Sequence, residues 1–247
     1  MTAQNGLFSE AARCLQISEP GLKCREVAVL WERVDAGELR PADSPSVGPV
    51  TAPGRPPKPV LVEPGQVPRR RLGSPQGRAA LVHAIAHIEF NAINLALDAV
   101  CRFPGMPDAY YLDWMSVAAD EARHYTMLHG RLAELGQDYG DFPAHNGLWE
   151  MAEKTADSCL RRMALVPRVL EARGLEVTPG MIERLRQAGD SATIEILEVI
   201  LEEEVRHVEI GTRWFRYCCE SENLEPESTF LELLSAHFTG SIRGPFN

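Results

Sequence analysis

From about residue 76 onward, apolar side chains recur at alternating three- and four-residue steps, the period of a helix with one buried face. The pattern predicts long helices over about 76–102, 108–135, 148–173 and 190–219. Phe103-Pro104-Gly105-Met106-Pro107 separates the first two, and Gly136 ends the second. Gly174 closes the third, in which Pro167 should give a kink or local break. Thr178-Pro179 then caps a short helix to Ala188, and a last amphipathic piece spans Pro226 to Phe238. Near the start, Leu7 to Ile17 and Val27 to Leu39 read as two short helices separated by Pro20-Gly21. No strand or hairpin pattern stands out.

Residues 41–77 hold ten of the 18 prolines together with Gly48, Gly54, Gly65, Gly73 and Gly77, and so read as an extended surface strap. Its apolar cluster Pro59-Val60-Leu61-Val62 is more than a free linker needs. It is expected to dock on the bundle, where it could restrict access to a site. The expected organisation is all-α: an N-terminal helical segment (1–40), the strap (41–77), a four-helix bundle (78–220), and a C-terminal helix and tail (221–247).

Composition narrows the class. With 45% apolar, 24% charged and 7% aromatic residues over 247 positions, collagen, disulfide scaffolds and disorder throughout are excluded. No apolar run approaches the ~20 residues of a membrane span, and the N-terminus lacks the basic and apolar regions of a leader, so the expected location is cytoplasmic, with no membrane partner. A net charge of −10 argues against wrapping nucleic acid. Between Arg55 and Arg78, however, Arg55, Lys58, Arg69, Arg70, Arg71 and Arg78 stand against Glu63 alone. That stretch carries +5 and the remainder −15, a solvated linker that also permits an RNA partner. The six cysteines form no C-x-x-C pair, which excludes zinc ribbons, rubredoxin-type iron and thioredoxin-type redox chemistry, and they read as reduced packing thiols.

Three of the helices interrupt their apolar stripe with a carboxylate. Glu89 lies in the row Ile85, Glu89, Ala92, Ala96, Ala99; Glu121 in the row Ala118, Glu121, Tyr125, Leu128, Leu132; Glu204 in the row Leu197, Leu201, Glu204, Val208, Gly211. An ionised carboxylate in a core costs several kcal/mol unless compensated. A metal ion is the economical compensation. His124 follows Glu121 (DEARH) and His207 follows Glu204 (EEEVRH), so E-x-x-H occurs twice, with both side chains of each pair on one helix side. Two E-x-x-H helices joined by lone glutamates on two others is the ligand formula of di-iron and di-manganese carboxylate bundles.

The fourth carboxylate could be Glu150, Glu153 or Glu171. Spacing favours Glu171, since Glu89 to Glu121 is 32 residues and Glu171 to Glu204 is 33. Its level along the helix is not matched as simply, because Gly174 follows three residues later and the 179–188 helix would have to continue its direction. Solvated Glu–Arg pairs and satisfied core histidines are the alternatives for each motif alone. His83 and His87 do not share the face of Glu89 and are assigned packing or surface roles. Tyr125 and Gly211 face the same interior as the E-x-x-H pairs. Tyr125 could donate a proton or electron and Gly211 could leave room for dioxygen or substrate, with core packing the alternative for both.

HAIAHIEFNAINLALDAVCRF, DEARHYTMLHGRL, VPRVLEARGLEVTPGMIERL and EEEVRHVEIGTRWF resemble the signature segments of a bacterial ferritin-like family, domain of unknown function 455. The resemblance runs over most of the chain. It implies a ferritin-like four-helix bundle with a dinuclear site whose ligands are Glu89, Glu121, His124, Glu171, Glu204 and His207. Related sequences continue beyond the final SIRGPFN, so a short C-terminal segment is expected to be missing.

An oxygen-rich shell with two imidazoles suits two iron ions, with manganese or a mixed iron–manganese pair as alternatives. The expected function is an oxygen-activating oxidoreductase or hydroxylase of unassigned substrate, using dioxygen or peroxide and an external electron donor. A ferroxidase or peroxide-handling protein, or a bundle that the metal only stabilises, are the alternatives. A dimer is compatible with the sequence.

Overall fold

The computed structural model describes residues 6–44, 47–67 and 71–237. Arg69 and Arg70 of the basic stretch, Phe238 at the expected end of the last helix, and the final SIRGPFN lie outside the described residues. The described chain is an all-α helical bundle fold whose one β-type contact is a bridge between Leu61 and Ala144. It divides into two units, residues 1–146 and 147–247.

In the first unit, α1 (Leu7–Gln16) packs on α3 (Pro75–Arg102), α2 (Pro20–Asp35) packs on α4 (Asp108–Glu134), and α3 and α4 form the central pair. α2 begins seven residues earlier than the sequence pattern placed it. Pro20 is its first residue, where the missing N–H costs nothing, and the Glu19 carboxylate accepts hydrogen bonds from the amides of Gly21 and Leu22. The Pro-Gly pair read as a break is a start. α3 and α4 follow the expected ranges closely. Ser74 caps α3 by accepting from the Gly77 amide, and α4 ends in a Schellman turn with Gly136 at φ 72° and the Gln137 amide on Leu132 O. By length and mean hydropathy α3 could cross a bilayer, but 78% of its most apolar window is buried, as in a core helix.

The strap is pinned mainly through its backbone. Ser44 Oγ accepts from Leu7 N at 2.8 Å, and Arg102, held by Asp98, donates to Val50 O at 2.9 Å. Gly54 N donates to Leu15 O at 2.8 Å. Further on, Val62 N donates to Ala144 O at 2.8 Å and Ala144 N to Val60 O at 3.1 Å. Pro59 is buried, Leu61 and Val62 are half-buried, and Val60 stays exposed. The cluster thus docks on the 137–146 loop. The Val62 and Ala144 amides are expected to exchange far more slowly than those of an unfolded peptide. Hydrogen exchange read by mass spectrometry checks this, and free exchange at both would mean that the strap is a linker.

Lys23 is the strap's deepest anchor. Fully buried, its ammonium donates to Leu15 O at 2.9 Å, to Gly54 O at 3.0 Å and to Asn94 Oδ1, above the Phe90 ring. Burial pulls its pKa down to about 7, while three acceptors for three N–H groups favour the charged form.

The second unit comprises α5 (Gly147–Lys154), α6 (Cys159–Leu165), a π-turn (Val166–Glu171), α7 (Ala172–Gln187), α8 (Ser191–Ser221) and α9 (Pro226–His237). The single helix expected over 148–173 is interrupted at 155–158. There the buried Arg162 donates to Thr155 Oγ1 at 2.7 Å and to Ala152 O at 2.6 Å, satisfying the end of α5. Pro167 widens the next helix into a π-turn rather than ending it. Gly174 and Pro179, read as a helix end and a new cap, both lie inside α7. Burial of Thr178, Ile182 and Leu185 on a helix packed along α8 outweighs costs of about 1 and 3 kcal/mol for glycine and proline.

Candidate metal centre

α3 and α4 bring three ligand-type side chains of the first unit together. Glu89, Glu121 and His124 are all buried, and one ligand atom from each lies within 4.8 Å of the others. His124 Nδ1 is 3.3 Å from Glu89 Oε2 and 3.3 Å from Glu121 Oε2. The i, i+3 spacing on α4 puts Glu121 and His124 on one side, as the sequence indicated. This buried Glu/His group could hold a metal ion.

Its electrostatics favour a cation. Burial, then the neighbouring Glu121 charge, pushes Glu89 well above the usual carboxylate range, against the hydrogen bond from His124. Burial alone would lower His124, but hydrogen bonds to Glu121 and Glu89 raise it to about 11. With no metal, an imidazolium proton on His124 offsets part of the charge of the two buried carboxylates. A dication offers more charge to the same oxygens.

α8 carries the corresponding pair of the second unit. His207 is fully buried, and its Nδ1 lies 3.6 Å from Glu204 Oε2, whose side chain is 12% exposed. Glu171 is the half-buried last residue of the π-turn. Two contacts relate it to α8. The Cys159 and Cys218 thiols are hydrogen-bonded, and a Cβ on Gly211 would lie 2.3 Å from Pro167 Cγ. Eight residues forward from Cys159 correspond to seven backward from Cys218, so the two stretches run antiparallel, advancing ~12 and ~10 Å at 1.5 Å per residue. Four residues beyond Pro167 is Glu171, and four before Gly211 is His207, so the two lie in the same direction along the pair from that contact. The room that Gly211 was expected to leave for dioxygen or substrate is filled by the Pro167 ring. Glu150 and Glu153 are exposed, and Glu153 Oε1 accepts from Trp149 Nε1 at 3.0 Å.

Tyr125, one turn beyond Glu121, is buried in an aromatic cluster with Phe90, Tyr139 and His129, at ring separations of 5.7, 5.3 and 5.7 Å. Burial raises its pKa and keeps the phenol protonated. His83 and His87 are packing residues, as their faces indicated. His83 Nε2 accepts from Gly140 N at 2.9 Å, while His87 accepts from the Tyr139 hydroxyl at Nδ1 (2.8 Å) and donates to His145 O at Nε2 (3.1 Å). Together they hold the loop that receives the strap. Burial, first and mainly, lowers the His83 pKa to about 4, against ~6.5 for an unperturbed histidine. Below pH ~6.5 the unfolded chain takes up a proton that folded His83 refuses until about pH 4, so its contribution is complete above pH ~6.5 and declines as pH falls. A loss on the order of 2–3 kcal/mol is expected across that window. Urea midpoints at several pH values check it, with a shallower decline in His83→Gln, whose side-chain oxygen can still accept from Gly140.

Two buried charged residues that sequence reasoning passed over are Lys23 and Arg162. Lys23 had a signal: it shares a helical row with Val27, Leu30 and Val34, all buried in α2, so it is a charge on an apolar stripe like the glutamates.

The chain is 41% identical over 257 residues to an uncharacterized protein of Haemophilus influenzae, covering 97% of this chain and 87% of that one. No solved structure matches it. Residues 16–247 match the family described as "Protein of unknown function (DUF455)", and the chain belongs to that family.

Proposed function

We propose that the protein is a ferritin-like dinuclear metal carboxylate protein, most simply di-iron, acting as an oxygen-activating oxidoreductase or hydroxylase. The observation that carries this reading is the buried Glu89–Glu121–His124 group, with a second E-x-x-H pair, Glu204 and His207, repeating its chemistry. Glu89, Glu121, His124, Glu171, Glu204 and His207 are the side chains that would hold the two ions. Such a pair supplies electrons and a Lewis-acidic site for reducing dioxygen or peroxide. The protein's own part is to fix carboxylate orientation, exclude water with the aromatic cluster, and hold a phenolic proton on Tyr125 one helical turn from Glu121. An external electron donor and an organic substrate complete the reading, and the basic 55–78 stretch admits RNA as that substrate.

Anaerobic loading with Fe(II), elemental analysis, and then exposure to oxygen with and without cell extract test it. About two iron ions per chain are expected, with oxygen uptake stimulated by a component of the extract. Iron that is oxidised and released without such stimulation would support the ferroxidase alternative. Failure to retain metal would end the proposal.

A further inference from the structure

The described cysteines are reduced, and all but one are buried; the half-buried one, Cys159, touches another thiol. Cys159 is the first residue of α6, and Cys218 lies three residues before the end of α8. Their thiols are hydrogen-bonded, and the Pro167–Gly211 contact independently fixes the antiparallel register that places them opposite each other. A disulfide requires the two sulfurs to come into bonding distance with Cα atoms roughly 4.4–6.8 Å apart, and hydrogen-bonded thiols on two packed helices start close to that arrangement. Cys219 does not share that position, since one residue along a helix turns the side chain by ~100°.

From this geometry we propose that Cys159 and Cys218 are a peroxide-reactive dithiol that closes to a reversible disulfide within the second unit. Access assigns the roles. Cys218 is buried and Cys159 half-buried, so Cys159 is the sulfur that a hydroperoxide reaches first, with Cys218 beside it to resolve the product. The Cys159 thiolate attacks the distal oxygen of a hydroperoxide: an S–O bond forms, the O–O bond breaks, and an alcohol or water leaves. Cys218, giving up its proton, then attacks the Cys159 sulfur, forming the S–S bond and releasing water. The sum is two thiols plus one hydroperoxide to one disulfide, one alcohol and one water. Both electrons come from the sulfurs, and a thiol reductant reverses the change.

Cys14, Cys24 and Cys101 lie in the first unit, each buried, where a hydroperoxide has less access than at half-buried Cys159. Burial raises Cys14 to about 11, Cys24 to about 11 and Cys101 to about 12, which leaves little thiolate at neutral pH. Closure would clamp the start of α6 to α8, on the helices that lead to the π-turn and to Glu204 and His207. The inference does not depend on the metal reading, and its test is run with chelator present.

The full chain, reduced and desalted into EDTA, is treated with stoichiometric tert-butyl hydroperoxide, alkylated after unfolding, digested without reductant and mapped. The expected product is one linked peptide pair containing Cys159 and Cys218, lost on dithiothreitol treatment, with Cys14, Cys24, Cys101 and Cys219 alkylated. Cys159→Ser should abolish the link and Cys219→Ser should leave it intact. Recovery of Cys218 as a free thiol beside sulfinylated Cys159 would overturn the proposal. A link through Cys219 that survives in Cys218→Ser would do so too.

Discussion

Glu121→Gln is expected to weaken metal binding by more than about 100-fold, because it removes the carboxylate charge nearest both Glu89 and His124 while keeping the side-chain volume. Even partners that only orient a metal ligand commonly change affinity 10–100-fold, and Glu121 is proposed as a ligand itself. The metal-free protein should respond in the opposite sense. Glu121 raises the pKa of buried Glu89 through like-charge repulsion, so neutralising it relieves a cost that the folded chain carries without metal. Thermal melts should therefore show a metal-free protein at least as stable as the parent, with the stabilisation by added Fe(II) lost. Glu150→Ala, on the exposed side of α5, is the control and should load normally. Stoichiometric iron in Glu121→Gln after desalting against a chelator would remove Glu121 from the ligand set.

Gly54→Ala is expected to destabilise the first unit by about 3 kcal/mol or more. A Cβ there would lie 2.1 Å from Gln16 O and 2.4 Å from Gln16 C, backbone atoms that cannot turn aside as a flexible side chain would. The strap must lift from the end of α1, breaking the Gly54 N to Leu15 O bond and taking away one of the three acceptors of Lys23. A buried ammonium that loses an acceptor costs about 1–3 kcal/mol on top of the backbone bond. Gly65→Ala on the same strap meets nothing within 4 Å, so it should be neutral or slightly stabilising through the unfolded chain. Denaturant unfolding of the two variants separates loss of this contact from a general intolerance of the strap.

Legibility in the sequence followed the physics of each element. α3, α4 and α8 are long, periodic and flanked by strong stop signals, so both their extents and the carboxylates on their buried stripes could be read directly. α2 and the α6–α7 stretch were misread because proline and glycine have positional meanings. Pro20 begins a helix under the Glu19 cap, while Pro167 widens one against Gly211 and Pro179 is tolerated inside one packed along α8. The Glu89–Glu121–His124 group was legible because carboxylates interrupt apolar stripes on α3 and α4 and the i, i+3 spacing puts Glu121 and His124 on one helix side. Lys23 escaped for a related reason: its row shows itself only once α2 is known to start at Pro20. The π-turn left no such trace, since its register depends on what lies opposite.

The bridge between the strap and Ala144 also sets a timetable for synthesis. Val62 must wait for a partner 82 residues downstream, and at 5–20 residues per second the ribosome takes ~4–16 s to supply it. Through that interval α1, α2 and α3 can associate, with Lys23 already able to reach Leu15, Gly54 and Asn94. The strap's distal half stays unfastened until the last few residues of the first unit emerge. The nascent chain therefore carries an unpaired Pro-Val-Leu-Val segment at the stage when α3 is newly made.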